Sequence, residues 1–255
     1  MKRFINKFVK KKITKPWALP DNTRVYCIGD IHGRDDLLKN IHDEILADAS
    51  DYSGKVVVIY LGDYIDRGLH SKKVIDLLLS KPLPDFESIY LRGNHEQVLL
   101  DFLYVDANIA TQWFSYGGQS TVLSYGVSMQ GIPFGEKLIQ LQQDLADKIP
   151  TEHMSFYNYL QYSYEVGDYF FVHAGVKPKV ALKRQSELVK MWIREEFLNS
   201  NYRFEKMIVH GHSVVDEPAV LPNRIGIDTG AYVSGVLTCL VLEGEDKRFL
   251  ATTSS

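Results

Sequence analysis

Short β-branched runs alternate with segments whose apolar residues recur at helical spacing, and this rhythm sets the expected fold. Lys55 to Tyr60 carries Val56, Val57, Val58 and Ile59 in succession, which reads as a buried strand. Ser71 to Ser80 follows, with Val74, Ile75, Leu77, Leu78 and Leu79 placed like a helix laid against a sheet. The same beat occurs at Val25–Ile28 before a helix from Arg34 to Ala49, and at Ser88–Leu91 before a helix from Glu96 to Leu103. Such alternation predicts parallel strands with right-handed crossovers. Between Tyr104 and Leu160 the beat is lost. That stretch holds Trp113, Phe114, Tyr116 and Tyr125, with helices expected over 136–147 and 152–160. It reads as an excursion over one side of the sheet, its aromatics forming either a wall of a cleft or ordinary helical packing.

The second half is richer in strands. Tyr162–Val166 and Tyr169–Val172 flank Gly167-Asp168 as a hairpin would. Ser186 to Leu198 reads as one helix, and Met207–Val209, Ile225–Ile227, Ser234–Leu242 and Arg248–Thr252 read as strands. Two layers of sheet covered by helices, a four-layer α/β/β/α sandwich, accommodate this order. With no internal repeat and no low-complexity linker, residues 21–255 are expected to form a single catalytic domain. Residues 1–20 stand apart as a basic arm. Phe4, Ile5, Phe8, Val9 and Ile13 share one helical face there, with lysines around the rest. This pattern suits peripheral contact with an anionic membrane, and equally a helix packed on its own domain or a frayed tail.

Charge sharpens the division. Residues 1–20 hold seven of the 29 basic residues and no acid, which leaves 22 against 32 acidic residues in the body. A body this acidic argues against nucleic-acid binding, which needs basic surface to displace counterions. It suits a protein that concentrates metal cations. Cys27 and Cys239 each lie inside an apolar run, so no disulfide framework exists and a cytoplasmic location is expected. Neither offers a thiolate nucleophile for a cysteine-based phosphatase.

The chemistry gathers where strands end. Gly62-Asp63-Tyr64-Ile65-Asp66-Arg67-Gly68 places two acids and an arginine at the end of the strand Lys55–Tyr60, where α/β folds hold their reacting groups. Similar edges follow at Gly29-Asp30-Ile31-His32-Gly33, Arg92-Gly93-Asn94-His95-Glu96, His173-Ala174-Gly175 and His210-Gly211-His212. Together they supply a mixed oxygen and nitrogen donor set suited to two divalent metals.

In this order the motifs resemble the calcineurin-like metallophosphoesterases, and within them the phosphoprotein phosphatase branch, with bacterial and bacteriophage-lambda-type Ser/Thr protein phosphatases nearest. Gly117-Gly118-x-x-Thr121, Trp192-Ile193-Arg194-Glu195 and Ile227-Asp228-Thr229-Gly230-Ala231 add to the likeness with bacterial members. The resemblance implies roles. Asp30 and His32 would hold a first metal, Asp63 would bridge both, and Asn94, His173 and His212 would complete the second. His210 competes with His212, and the glycine directly before the ligand in the family motif selects His212. Manganese, iron or zinc would suit these donors, and a water shared by both metals would attack phosphorus in line, with no phosphoenzyme. His95 would act as general acid with Asp66 orienting it, while Arg67, Arg92 and Arg194 would clamp phosphate oxygens. Glu96 is read as a structural acid at a helix start.

The expected activity is therefore a metal-dependent phosphomonoester hydrolase, a Ser/Thr protein phosphatase acting on a phosphoprotein or another phosphorylated substrate. The alternative is a diadenosine tetraphosphate hydrolase, whose core motifs are the same. Val214, where nucleases and phosphodiesterases place a further histidine, argues against those activities. A filled set of expected positions argues against an inactive scaffold.

Overall fold

The computed structural model describes residues 16–129 and 134–252, so residues 1–15 of the basic arm expected over residues 1–20 lie outside the described residues. The first sheet has the order β10-β9-β1-β2-β3. Its strands are β1 (Thr23–Ile28), β2 (Lys55–Tyr60), β3 (Glu87–Tyr90), β9 (Thr238–Glu243) and β10 (Asp246–Ala251). β1, β2 and β3 run parallel, and β9 and β10 close the other edge antiparallel. The second sheet, ordered β4-β5-β6-β8-β7, contains β4 (Ser163–Val166), β5 (Tyr169–Val172), β6 (Met207–His210), β7 (Ala219–Val220) and β8 (Arg224–Gly226). The expected hairpin is β4–β5.

Period-two alternation decides what each strand buries. Val25, Cys27, Val57 and Ile59 point between the sheets, where they meet Phe171, Val209, Ile225 and Leu240. Tyr26, Ile28, Val56, Val58 and Tyr60 point the other way, onto helices α1 (Asp35–Ala49) and α2 (Ser71–Leu79) through Leu38, Ile41, Ile45, Val74 and Ile75. Because β2 is covered on both faces, it reads as an unbroken apolar run. The same helical layer continues through α3 (Asn94–Tyr104), α4 (Ala110–Ser115), α5 (Gly118–Ser124), α6 (Glu136–Lys148) and α7 (Thr151–Tyr159). On the far face of the second sheet, Phe170, Val172 and Ile208 are covered by Leu182, Phe204 and the Phe197 of α9 (Glu195–Leu198). The four-layer α/β/β/α order is thus observed. Its fourth layer is thin, built from α8 (Glu187–Trp192), α9 and loops.

Four departures from the sequence expectation bear on the site. The helix expected from Glu96 begins at Asn94, because the Glu96 carboxylate accepts the Gly93 N–H and the Asp63 carboxylate accepts the His95 N–H. The helix expected over 186–198 is broken at Ile193 and Arg194, whose backbones leave the helical region. That break lets Trp192 face His212 while Phe197 drops against His210. In the 104–160 excursion two further helices, α4 and α5, are separated by Gly117 at φ +100°, a conformation that favours glycine. The strand expected from Ser234 starts only at Thr238, since Ala231–Ser234 forms a short helix, α10.

Ile59 is fully buried between the two sheets. Ile59→Ala is expected to lower stability by about 2–5 kcal/mol, read as a reduced denaturant midpoint at constant slope.

Candidate metal centre

The carboxyl ends of β1, β2, β3, β5 and β6 open at one edge of the sandwich, and the loops that follow them bring the predicted residues together. Backbone strain marks the place. Eight non-glycine residues among those described have positive φ, and five of them are His32, Asp63, Asp66, Arg67 and His212. Such conformations cost about 1–3 kcal/mol each and persist only where the surroundings enforce them.

Asp63 occupies the middle. Its carboxylate lies 3.5 Å from His32 Nε2, 3.4 Å from His173 Nε2 and 3.8 Å from His95 Nε2. Its position depends on glycine: Gly62, at φ +104°, abuts Gly93, and a Cβ on Gly93 would collide with the Asp63 carboxylate. Glu96 fixes the loop by accepting the N–H groups of Asp63 (2.9 Å), Tyr64 (2.8 Å) and Gly93 (3.0 Å). The acid read as a helix-start residue is therefore the clamp on the central loop. Burial works to raise the Asp63 pKa, but His173, His95, His32 and His212 outweigh it and hold the carboxyl below its ordinary range.

The histidines are oriented for donation. His32 Nδ1 donates to the Ile65 carbonyl at 2.8 Å and His173 Nδ1 to the Leu61 carbonyl at 3.0 Å, which leaves each Nε2 lone pair facing inward. Burial lowers the pKa of both rings. His173 Nε2 then faces Asn94 Oδ1 at 3.0 Å and His212 Nδ1 at 3.2 Å as well as Asp63. The Nε2 atoms of His32 and His212 are buried without a hydrogen-bond partner. Inward lone pairs crowded around a carboxylate are unfavourable alone and are relieved by cations, so this donor set fits divalent metals. His32, Asp63 and His95 form one cluster of donor atoms within 4.8 Å of one another, and Asp63, His173 and His212 form a second.

Asp30 is buried beside these clusters, where its carboxylate accepts the His212 N–H at 3.0 Å. Burial, Asp228 and Asp63 push its pKa well above the carboxylate range. Burial likewise pushes Asp228 to about 6. Asp228 was visible in the sequence only as part of Ile227-Asp228-Thr229-Gly230-Ala231, without a role. His210 is turned away: its Nδ1 bonds the Gly211 carbonyl and its ring packs on Phe197. The structure thus brings His212, not His210, to the centre.

His95 Nδ1 meets Asp66 Oδ2 at 2.6 Å, and its Nε2 lies 3.4 Å from Arg67 Nη2. Burial disfavours a charged imidazole here, yet Asp63 and the Asp66 bond outweigh it and raise the His95 pKa. Asp66 is wholly buried and also accepts from Trp113 Nε1 at 2.8 Å and Thr121 Oγ at 2.6 Å. Thr121 stood in a recognised motif; Trp113 carried no spacing signal and was found only by the fold.

The three arginines differ. Arg67 holds its guanidinium over the Tyr232 ring, 4.5 Å from the centroid, next to His95. Arg194 is exposed, and its charge acts on His173, His212 and Asp228. It makes no ion pair among the described residues, although Glu195 and Glu196 follow it directly. Arg92 is buried, with Nη1 bonded to Gln97 and Tyr162 and Nη2 to the carbonyls of Tyr157 and Asn158. Its donors tie α3 to the end of α7.

The family described as calcineurin-like phosphoesterase matches residues 23–234. Bis(5'-nucleosyl)-tetraphosphatase PrpE [asymmetrical] of Bacillus mycoides is 26% identical over 235 residues, covering 84% of this chain and 88% of that one. A solved structure provisionally described as a diadenosine tetraphosphatase superposes with a TM-score of 0.60 at 21% identity, over 94% of this chain and 100% of the other. The cold-active protein-tyrosine phosphatase of a psychrophilic Shewanella gives a TM-score of 0.59 at 17% identity, over 93% and 83%. Among the described residues no helix is long and apolar enough to cross a membrane.

Two substitutions separate metal holding from proton transfer. Asp63→Asn is expected to lose bound manganese by elemental analysis, whereas His95→Asn should keep it. Both should lose about 100-fold or more of phenyl phosphate hydrolysis. Metal loss in His95→Asn would instead make His95 a ligand, as its place in the first cluster allows.

Proposed function

Because the chain belongs to the calcineurin-like phosphoesterases, we propose that it hydrolyses dinucleoside tetraphosphates at a two-metal centre built around Asp63. The observation that carries this reading is the likeness to bis(5'-nucleosyl)-tetraphosphatases along 84% of the chain. The preference for phosphoproteins expected from the sequence yields first place to the alternative stated beside it.

Asp30 and His32 would hold one cation, Asn94, His173 and His212 the other, with Asp63 shared between them. Two divalent cations, when bound, would polarise phosphoryl oxygens and make a water more acidic. The rest is the work of side chains. His95, kept protonated by Asp66 and Asp63, delivers a proton to the leaving oxygen. Trp113 and Thr121 hold Asp66 so that its charge stays aimed at His95. Arg67 and Arg194 pair with non-bridging oxygens, since both guanidiniums reach the centre with donors to spare. Arg92 braces the loop from β3 to α3, because its Nη donors already serve protein oxygens.

A second reading, the Ser/Thr protein phosphatase, is favoured by one observation. The His95–Asp66 bond of 2.6 Å describes a well-supported general acid. A serine alkoxide needs such a proton far more than a departing nucleotide phosphate does. Turnover by manganese-loaded protein on diadenosine tetraphosphate and on a phosphothreonine peptide decides between the readings. A kcat/KM about tenfold or more higher on the dinucleotide is expected. Preference for the peptide would install the second reading, and turnover of neither would refute both.

A further inference from the structure

Three aromatic rings border the centre, and the chemistry above uses none of them as a substrate contact. Tyr232, from α10, stands edge-on to His32 with centroids 5.4 Å apart. Tyr116, just after α4, lies 6.1 Å from the His95 ring, and Trp192, ending α8, lies 6.4 Å from the His212 ring. Tyr116 and Trp192 are 6.1 Å apart and tilted by 54°. Gln112 Nε2 holds the Tyr116 hydroxyl at 2.6 Å.

Trp192 leans in part on the helical-layer core, but core packing accounts for neither Tyr116 nor Tyr232. Trp113, three residues before Tyr116, is fully buried and spends its indole N–H on Asp66. Tyr232, by contrast, is 37% exposed, and Tyr116 and Trp192 are half-buried. The three rings come from separate elements, and each touches a different histidine of the centre. A partly exposed ring beside the histidines of the centre offers a flat apolar face next to where a phosphoryl group would bind. Nucleobases match that face, since every base can stack on an aromatic side chain. The side chain of a phosphoserine would leave it uncovered.

We infer that Trp192 and Tyr116 form a nucleobase subsite beside the phosphoryl centre, with Tyr232 holding Arg67 in place for the phosphates next to that base. This subsite rests on the dinucleotide reading above and names the residues that select its substrate. Trp192 is the main platform, because it is the largest ring and α8 ends on it where the chain turns away at Ile193.

AMP and ribose 5-phosphate, which differ only in the base, provide the test. Dissociation constants for both are measured by equilibrium dialysis on the manganese-loaded full chain. The wild type is expected to bind AMP about 5- to 100-fold more tightly than ribose 5-phosphate, the range that one stacked base supplies. Trp192→Ala should erase most of that difference, and Trp192→Phe should retain most of it. Equal binding of the two ligands by the wild type would overturn the subsite. So would a difference that survives both Trp192→Ala and Tyr116→Ala. If Trp192→Ala does not fold, Tyr116→Ala and Trp192→Phe carry the comparison, and a base-dependent difference that Tyr116→Ala leaves intact overturns the pairing of the two rings. Diadenosine tetraphosphate turnover by the same preparation tests the dinucleotide reading separately, because base-dependent AMP binding does not require the tetraphosphate to be cleaved.

Discussion

One buried carboxylate organises this protein. Asp63 sits among His32, His95, His173 and His212 on a backbone forced into the left-handed region. Neither the charge nor the strain is tolerable in isolation. Glu96 answers the strain by binding the amides of Asp63, Tyr64 and Gly93, and the α3 N-terminus answers the charge with the His95 N–H. The histidines complete the balance with inward lone pairs that call for cations. The sandwich behind them supplies rigidity: β2, buried on both faces, delivers Asp63 to a fixed point.

A second buried acid, Asp66, sits three residues further along the same loop and does a different task. Its environment separates the two. Asp63 faces ring nitrogens with free lone pairs, whereas Asp66 faces donors: the His95 Nδ1, the Trp113 indole and the Thr121 hydroxyl. An acid saturated by donors cannot also take a metal. It can hold an imidazolium and fix its orientation. The 104–160 excursion supplies two of those donors, so this stretch supports the centre from beneath as well as bordering it with Tyr116.

Much of this was legible in the sequence because strand-end motifs are local. Asp30, His32, Asp63, Asn94, His95, His173 and His212 each follow a short apolar run, and parallel strands put their carboxyl ends together. The short apolar run of β1 and the unbroken run of β2 likewise announced the layers. What escaped depends on contacts between distant segments. Trp113 is 47 residues from Asp66, and its indole N–H reveals nothing until the helices pack. Asp228 becomes notable only beside Asp30, on the far side of the chain. The broken helix at Ile193 escaped because its apolar spacing is continuous, while packing of Phe197 beneath the second sheet requires the turn.

The arginines show most sharply how environment overrides residue type. Arg67, Arg92 and Arg194 all sit in motifs that suggest an anion clamp, and a guanidinium is suited to that work anywhere. Yet a donor already bonded to a buried carbonyl cannot bind a phosphate without leaving that carbonyl unpaired, a loss of about 1–3 kcal/mol per group. Arg92 serves the Tyr157 and Asn158 carbonyls and would incur that loss twice over. Arg67 rests on the face of Tyr232, a contact that orients the cation without consuming its hydrogens. Arg194 projects from the break before α9 with no acid to hold it among the described residues. Arg67 and Arg194 therefore keep guanidinium donors free of backbone carbonyls, as the proposed phosphate contacts require, while Arg92 is committed to the loop on which Asn94 and His95 stand.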